Sequence, residues 1–163
     1  SSIKLIKDEV KDIHKKAKAI AAKLNGKLPI IYAAADFEGV AIRFRQQINE
    51  NSKMLCWHHV IPEMNHNELV GWRDKDKNKA VVILRNDDDY ERVKLRMDLN
   101  KQIIKKYTPN IIEITSKGKS YWEKVFYFIH LTDWVSVYLA DLHKQDATEV
   151  KVIDFLKGEL AKA

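Results

Sequence analysis

The feature that most restricts the fold is an alternation of two kinds of segment. "KAVVILRND", Lys79 to Asp87, is a run rich in β-branched residues, the composition of a strand. Amphipathic stretches stand on both sides of it. "YERVKLRMDLNKQIIKKY" places apolar Val93, Met97, Ile103 and Ile104 at helical positions, and Pro109 follows its end. Between Lys7 and Leu24, residues Val10, Ile13, Ala17, Ile20, Ala21 and Leu24 recur every three or four positions, with Gly26 just beyond as a cap.

The same alternation runs the length of the chain. "LPIIYAAA" reads as a short buried strand, and Asp36 is placed to cap a helix, "FEGVAIRFRQQINENS". "KMLCWHHVI" is strand-like, "NHNELVGW" a short helix or turn, and Asp89 stands where it can cap the helix after "KAVVILRND". "NIIEITSKG" is a further strand; helices from about Ser120 to Lys144 and Thr148 to Leu160 complete the chain. Parallel neighbours need a crossover, which a helix fills. The expectation is one α/β domain over residues 1–163, a three-layer α/β/α arrangement around a mainly parallel sheet of four to five strands.

Composition narrows the classes of function. Of 163 residues, 45% are hydrophobic and 32% charged, with 5 Gly and 3 Pro, which describes a packed globular chain. The apolar stretch Val125 to Leu142 is interrupted by His130, Asp133 and Ser136, so a membrane span is not expected. The lone Cys56, within the predicted strand, has no intrachain partner; a packing role and a cytoplasmic location follow. The net charge of +6 admits an anionic partner, but lysines interleaved with acids in "KDEVKDIHKK" and "WRDKDKNK" form no basic stripe, which argues against nucleic acid.

No GxGxxG or GxxxxGK[ST] loop is present, which disfavours a dinucleotide cofactor or a nucleoside triphosphate. "ITSKGKS" has hydroxyls ahead of a helix; Ser120 is better placed to cap "YWEK" than to hold an anion. "NDDDYE" lacks the spacing of a calcium loop and reads as a helix start. Asp133, midway along an apolar helix, is expected to pair with a helix terminus or a buried backbone group, and the four tryptophans to sit in core or interface.

The polar stretch "QQINENSKMLCWHHVIPEMNHNEL", Gln46 to Leu69, leaves three readings open. His58, His59, Glu63, His66 and Glu68 have the residue types of a zinc site, but adjacent His58 and His59 on a strand point to opposite faces and no HExxH pair exists. Glu50 and His66 have the types for proton transfer, a carboxylate raised by partial desolvation working with an imidazole. Alternatively they cap and solvate a helix end and a surface loop.

"FRQQINENSK" followed by "PEMNHNEL" resembles the C-terminal half of the bacterial and archaeal bifunctional phosphoglucose/phosphomannose isomerases, built on sugar isomerase (SIS) domains. "LTDWVSVYLADL" and "DATEVKVIDFLKGEL" are similar to that family's closing helices. The resemblance implies that Glu50 is the base shuttling a proton between C2 and C1 through a cis-enediol. It implies that His66 assists ring opening from the neighbouring subunit of a homodimer, and that Lys157 contacts the sugar. It also implies a phosphorylated hexose substrate, an aldose-ketose isomerisation with no metal or organic cofactor, and an N-terminal SIS domain supplying the phosphate loops. No counterpart of that domain is found here, and the chain opens on Ser-Ser rather than methionine, as a piece of a longer protein would. A sensor or dimerisation module is the alternative, and Glu50 and His66 are what a pure sensor does not need.

Overall fold

A computed structural model describes residues 1–162. Four strands, β1 (Leu28–Ala34), β2 (Trp57–Ile61), β3 (Lys79–Arg85) and β4 (Ile111–Thr115), form one sheet in the order β2-β1-β3-β4. Every pairing is parallel, with Tyr32 beside His59 on one side and Ile83 on the other. Five helices accompany them: α1 (Ser2–Leu24), α2 (Glu38–Ser52), α3 (Glu91–Ile104), α4 (Tyr121–Leu142) and α5 (Lys151–Leu160).

Alternation along the strands builds two cores. On one face Ile31, Ala33, Val82, Leu84, Ile112 and Ile114 meet α1, α2 and α4. On the other, Ile30, Tyr32, Val81 and Ile83 meet Met97 and Ile104 of α3. The expected three-layer architecture is therefore present, with four strands of the four to five anticipated.

The second face has an irregular cover. The crossover from β2 to β3 contains no α-helix but two 3₁₀ turns, Glu63–His66 and Glu68–Gly71, which bury Met64 and deliver Trp72 to the same core. This connection folds back over the sheet instead of standing out beyond its edge, because Met64 and Trp72 are the apolar residues available to cover Ile30 and Tyr32.

Local details depart from the sequence reading. Helix α1 starts at Ser2, five residues before the apolar pattern begins, with Leu5 N bonded to Ser1 O at 3.1 Å. Asp36 lies in a 3₁₀ turn, Ala35–Phe37, and the residue before α2 is Phe37, which provides no side-chain cap. Asp89 turns back instead of forward: it accepts from Asn86 N at 3.2 Å, and Tyr90 precedes α3. Both errors arise because short acidic side chains serve turns as readily as helix starts. β2 begins at Trp57, so Cys56 lies outside the strand, since Asn49 and Ile48 hold the Met54 backbone to the end of α2. Ser120 does cap α4, in a reciprocal box with Glu123.

Candidate active site

As the crossover between parallel β1 and β2, α2 runs from the carboxyl edge of the sheet to its amino edge. Its final turn, "NENS", therefore opens at the end opposite the usual ligand edge of α/β sheets. Three of those four residues are tied down. Asn49 Nδ2 donates to Met54 O at 2.8 Å. Asn51 Nδ2 donates to Gln47 Oε1 at 3.0 Å and Ser136 Oγ at 2.9 Å, and the buried Ser52 Oγ donates to Ser136 O at 2.7 Å. His143 Nδ1 lies 3.1 Å from the Ser52 carbonyl. Glu50 points outward and is exposed, so the partial burial expected for a base is not supplied by this chain alone.

Earlier in α2, Arg43 grips Asp133 of α4 through two bonds of 2.8 and 3.1 Å. Asp133 thus serves the α2–α4 contact and not a helix terminus or backbone group. Lys53 ends α2 in the left-handed region (φ 56°) and reaches back to the Glu50 carbonyl at 2.6 Å. The turn bearing Glu50 is consequently fixed at both its flanks.

Glu50, Asn49, Lys53, Met54, Leu55 and Cys56 line one side of an open groove of about 1010 Å³, and Glu149, Val150, Val152 and Ile153 line the other. Lys157 lies one helical turn beyond Ile153 on α5, hence along the same face, and is exposed. Among the described residues α5 buries no side chain, and Val152, Phe155, Leu156 and Leu160 are 57–82% exposed. Burial pushes the Cys56 thiol up to about 12, which keeps it protonated and suits the packing role read for it.

His66 belongs to a different layer. It ends the 3₁₀ turn Glu63–His66 and is exposed, while its neighbour Met64 is buried against the α3 face of the sheet. α2 packs on the opposite face through Val40, Ala41, Phe44 and Ile48. The sheet therefore lies between the layers carrying the two proton-transfer candidates, and no hydrogen bond or ion pair joins them among the described residues. Of the three candidates, one chain brings Glu50 and the helix carrying Lys157 to one groove and leaves His66 apart.

A set of contacts that the sequence reading did not find centres on Glu68, two residues after His66. Glu68 Oε1 accepts from Tyr32 Oη at 2.5 Å and from Trp57 Nε1 at 3.1 Å, and Tyr32 Oη accepts from Trp72 Nε1 at 3.1 Å. Burial, and then the Glu68 hydrogen bond, raises the Tyr32 phenol far above its ordinary value, so it remains a donor. The available signal was a single hydroxyl in the otherwise apolar "LPIIYAA".

At the carboxyl edge of β3 and β4 the chain uses its own groups. The Glu123 carboxylate takes the backbone N–H of Lys119 at 2.8 Å and of Ser120 at 3.1 Å, which pull its pKa down to about 2. Ser116 donates to Asn86, and Lys117 is held by Glu9 and Asp12. The Ser116 hydroxyl, the Lys117 ammonium and the backbone N–H groups of Lys119 and Ser120 in "ITSKGKS" are thus engaged within the chain. Among the described residues no three His, Cys, Asp or Glu side chains converge on a common point. His59 Nδ1 accepts from Val60 N at 2.8 Å, and burial lowers the pKa of His58, which faces Glu38 across 3.7 Å.

The fold and the paired polar segments define a sugar isomerase (SIS) domain. A glucose-6-phosphate isomerase like protein from Thermus thermophilus shares the fold with a TM-score of 0.68 over 86% of this chain and 46% of its own, at 21% identity. Residues 13–160 match the bacterial phospho-glucose isomerase C-terminal SIS domain, and the chain belongs to that family. It is similar to the bifunctional phosphoglucose/phosphomannose isomerase of Aquifex aeolicus, 39% identical over 96% of this chain and 50% of the relative. It is also similar to that of Caldicellulosiruptor bescii, 40% identical over 96% and 47%. The chain spans about half the length of the curated relatives it matches.

Proposed function

We propose that this chain is one SIS domain contributing the C-terminal part of a site that interconverts glucose 6-phosphate or mannose 6-phosphate with fructose 6-phosphate. The observation that carries the reading is the Glu50 turn. In a chain of this family, three residues of "NENS" are committed to holding the backbone, and the fourth presents a carboxylate to a groove.

In the mechanism, Glu50 takes the C2 proton of the open-chain aldose, leaving a cis-enediolate; the hydroxyl proton on O2 passes to O1, and Glu50 returns its proton to C1 as C2 becomes the ketone carbon. His66 of a second subunit opens the ring by transferring the anomeric hydroxyl proton to the ring oxygen as the C1–O5 bond breaks, and Lys157 contacts the sugar. General acid-base assistance of this kind contributes about 10²–10⁴ in rate. A homodimer is supported by the division of Glu50 and His66 between opposite layers, and by the exposed apolar residues of α5. The phosphate falls to an N-terminal SIS domain, a reading supported by the chain spanning about half the length of its curated relatives and by the internal use of the Ser116 hydroxyl and of the Lys119 and Ser120 N–H groups. We place the protein in the cytoplasm; no helix of the described residues is long and apolar enough to cross a membrane.

The test is a coupled assay of fructose 6-phosphate formation from both aldose phosphates, with this chain alone and with the protein as its gene encodes it. Turnover by the gene-encoded protein supports the reading. Failure of that protein on both sugars removes the isomerase assignment.

A further inference from the structure

His66 is held from both sides by contacts that do not involve its ring. On the amino side, Asn65 Nδ2 donates to Asn100 Oδ1 of α3 at 2.6 Å. On the carboxyl side, Asn67 Oδ1 accepts from Glu68 N at 2.5 Å, and the Glu68 carboxylate is taken by Tyr32 and Trp57. Those partners come from β1 and β2, and Tyr32 itself is braced by Trp72 beyond the loop. Two strands thus converge on one carboxylate oxygen two residues from His66, and a third part of the chain braces one of the two donors.

The chemistry of Tyr32 shows that the contact is specific. Its side chain is 0% exposed in a strand next to the sheet centre, where phenylalanine would fill the same space. Burying a phenol costs free energy unless its hydroxyl is hydrogen-bonded, and here it is bonded twice. Two residues of chain reach at most about 7 Å, so an anchored Glu68 closely restricts where the His66 backbone can stand.

We infer that Glu68, clamped by Tyr32 and Trp57 and braced through Tyr32 by Trp72, is a positioning residue that sets the imidazole of His66 for ring opening. The inference rests on the isomerase reading for its chemistry, though not for its geometry. Glu68 acts through the backbone and touches no reacting atom; the clamp matters because a displacement of about 1 Å in a catalytic group can cost about 10²-fold in rate.

The experiment uses Tyr32→Phe, Glu68→Gln and Trp57→Phe in the gene-encoded protein, the last removing the N–H donor and part of the ring of an exposed indole. With glucose 6-phosphate bearing deuterium at C2, kcat is expected to fall about 10- to 10²-fold with little change in KM. The isotope effect should shrink toward unity, as ring opening and not C2–H cleavage becomes limiting. The imidazole resonances of His66, read by NMR, should shift or broaden in the same variants. Folded variants with parental kcat, isotope effect and His66 resonances would overturn the inference, as would lost kcat with the isotope effect and resonances unchanged. A parent that isomerises neither sugar, yet whose His66 resonances respond to these variants, would sink the isomerase reading and leave the positioning role standing.

Discussion

Glu50 and His66 stand in opposite layers of the same sheet, the first at the last turn of α2 and the second in the turn after β2. Within one chain no hydrogen bond or ion pair among the described residues joins them, and each is exposed on its own side of the sheet. The proposed sharing of the site between two subunits predicts how inactive variants should behave when they are combined.

Mixing inactive proteins tests this directly. Glu50→Gln and His66→Ala subunits, dissociated and reassociated together, should recover about a quarter of the parental rate, because half the dimers are mixed and each mixed dimer holds one intact site. A site built within one chain would give no recovery in the same coupled assay.

Glu50→Gln by itself should lower kcat by at least about 10²-fold while leaving circular dichroism, thermal midpoint and sugar-phosphate binding near parental values. Near-normal turnover would remove Glu50 from the role of base. The exposed side chain makes no contact whose loss would unfold α2.

The link between α2 and α4 should be measurable as stability. Asp133→Ala removes both bonds from Arg43, in a pair that is only partly shielded from water, and is expected to cost about 1 kcal/mol in urea unfolding. Arg43→Ala should cost a similar amount, and the double variant less than the sum.

Glu123 gives a pH signature of known sign. Its pKa in the folded chain, about 2, lies below the unfolded carboxylate value, so its stabilisation is complete above about pH 4.3 and is lost as pH falls toward 2. Glu123→Gln should therefore lower the thermal midpoint at pH 7, and the gap from the parent should close in acid.

Cys56 should react slowly with iodoacetamide at pH 8. A pKa of about 12 cuts its thiolate fraction by about 10³ against an ordinary cysteine, and the greater nucleophilicity of the more basic sulfur returns part of that, leaving about 10²-fold slower alkylation. Alkylation at the rate of a free thiol would show that the site is open to water.

The layer architecture was legible because β-branched runs and helical periodicity alternate without a break, and the Glu50 turn because its motif is local. Other features depended on contacts distant in sequence. Nothing local in "PEMNHNEL" says that Glu68 turns inward to Tyr32, 36 residues earlier, since a glutamate beside histidines reads equally as a ligand or a solvated charge. Asp133 was misassigned for the same reason: its partner Arg43 is 90 residues away. Asp36 and Asp89 failed differently, because each had two local uses and only the packed chain chose between them.

Helix α5 has ten residues and buries none of them. A helix that short gains too little from its own hydrogen bonds to persist in water, and its apolar side chains gain nothing while they face solvent. A cover over that face would therefore add to its order. If Lys157 reaches the sugar from this helix, covering the apolar side chains of α5 and fixing the lysine in place would be a single event.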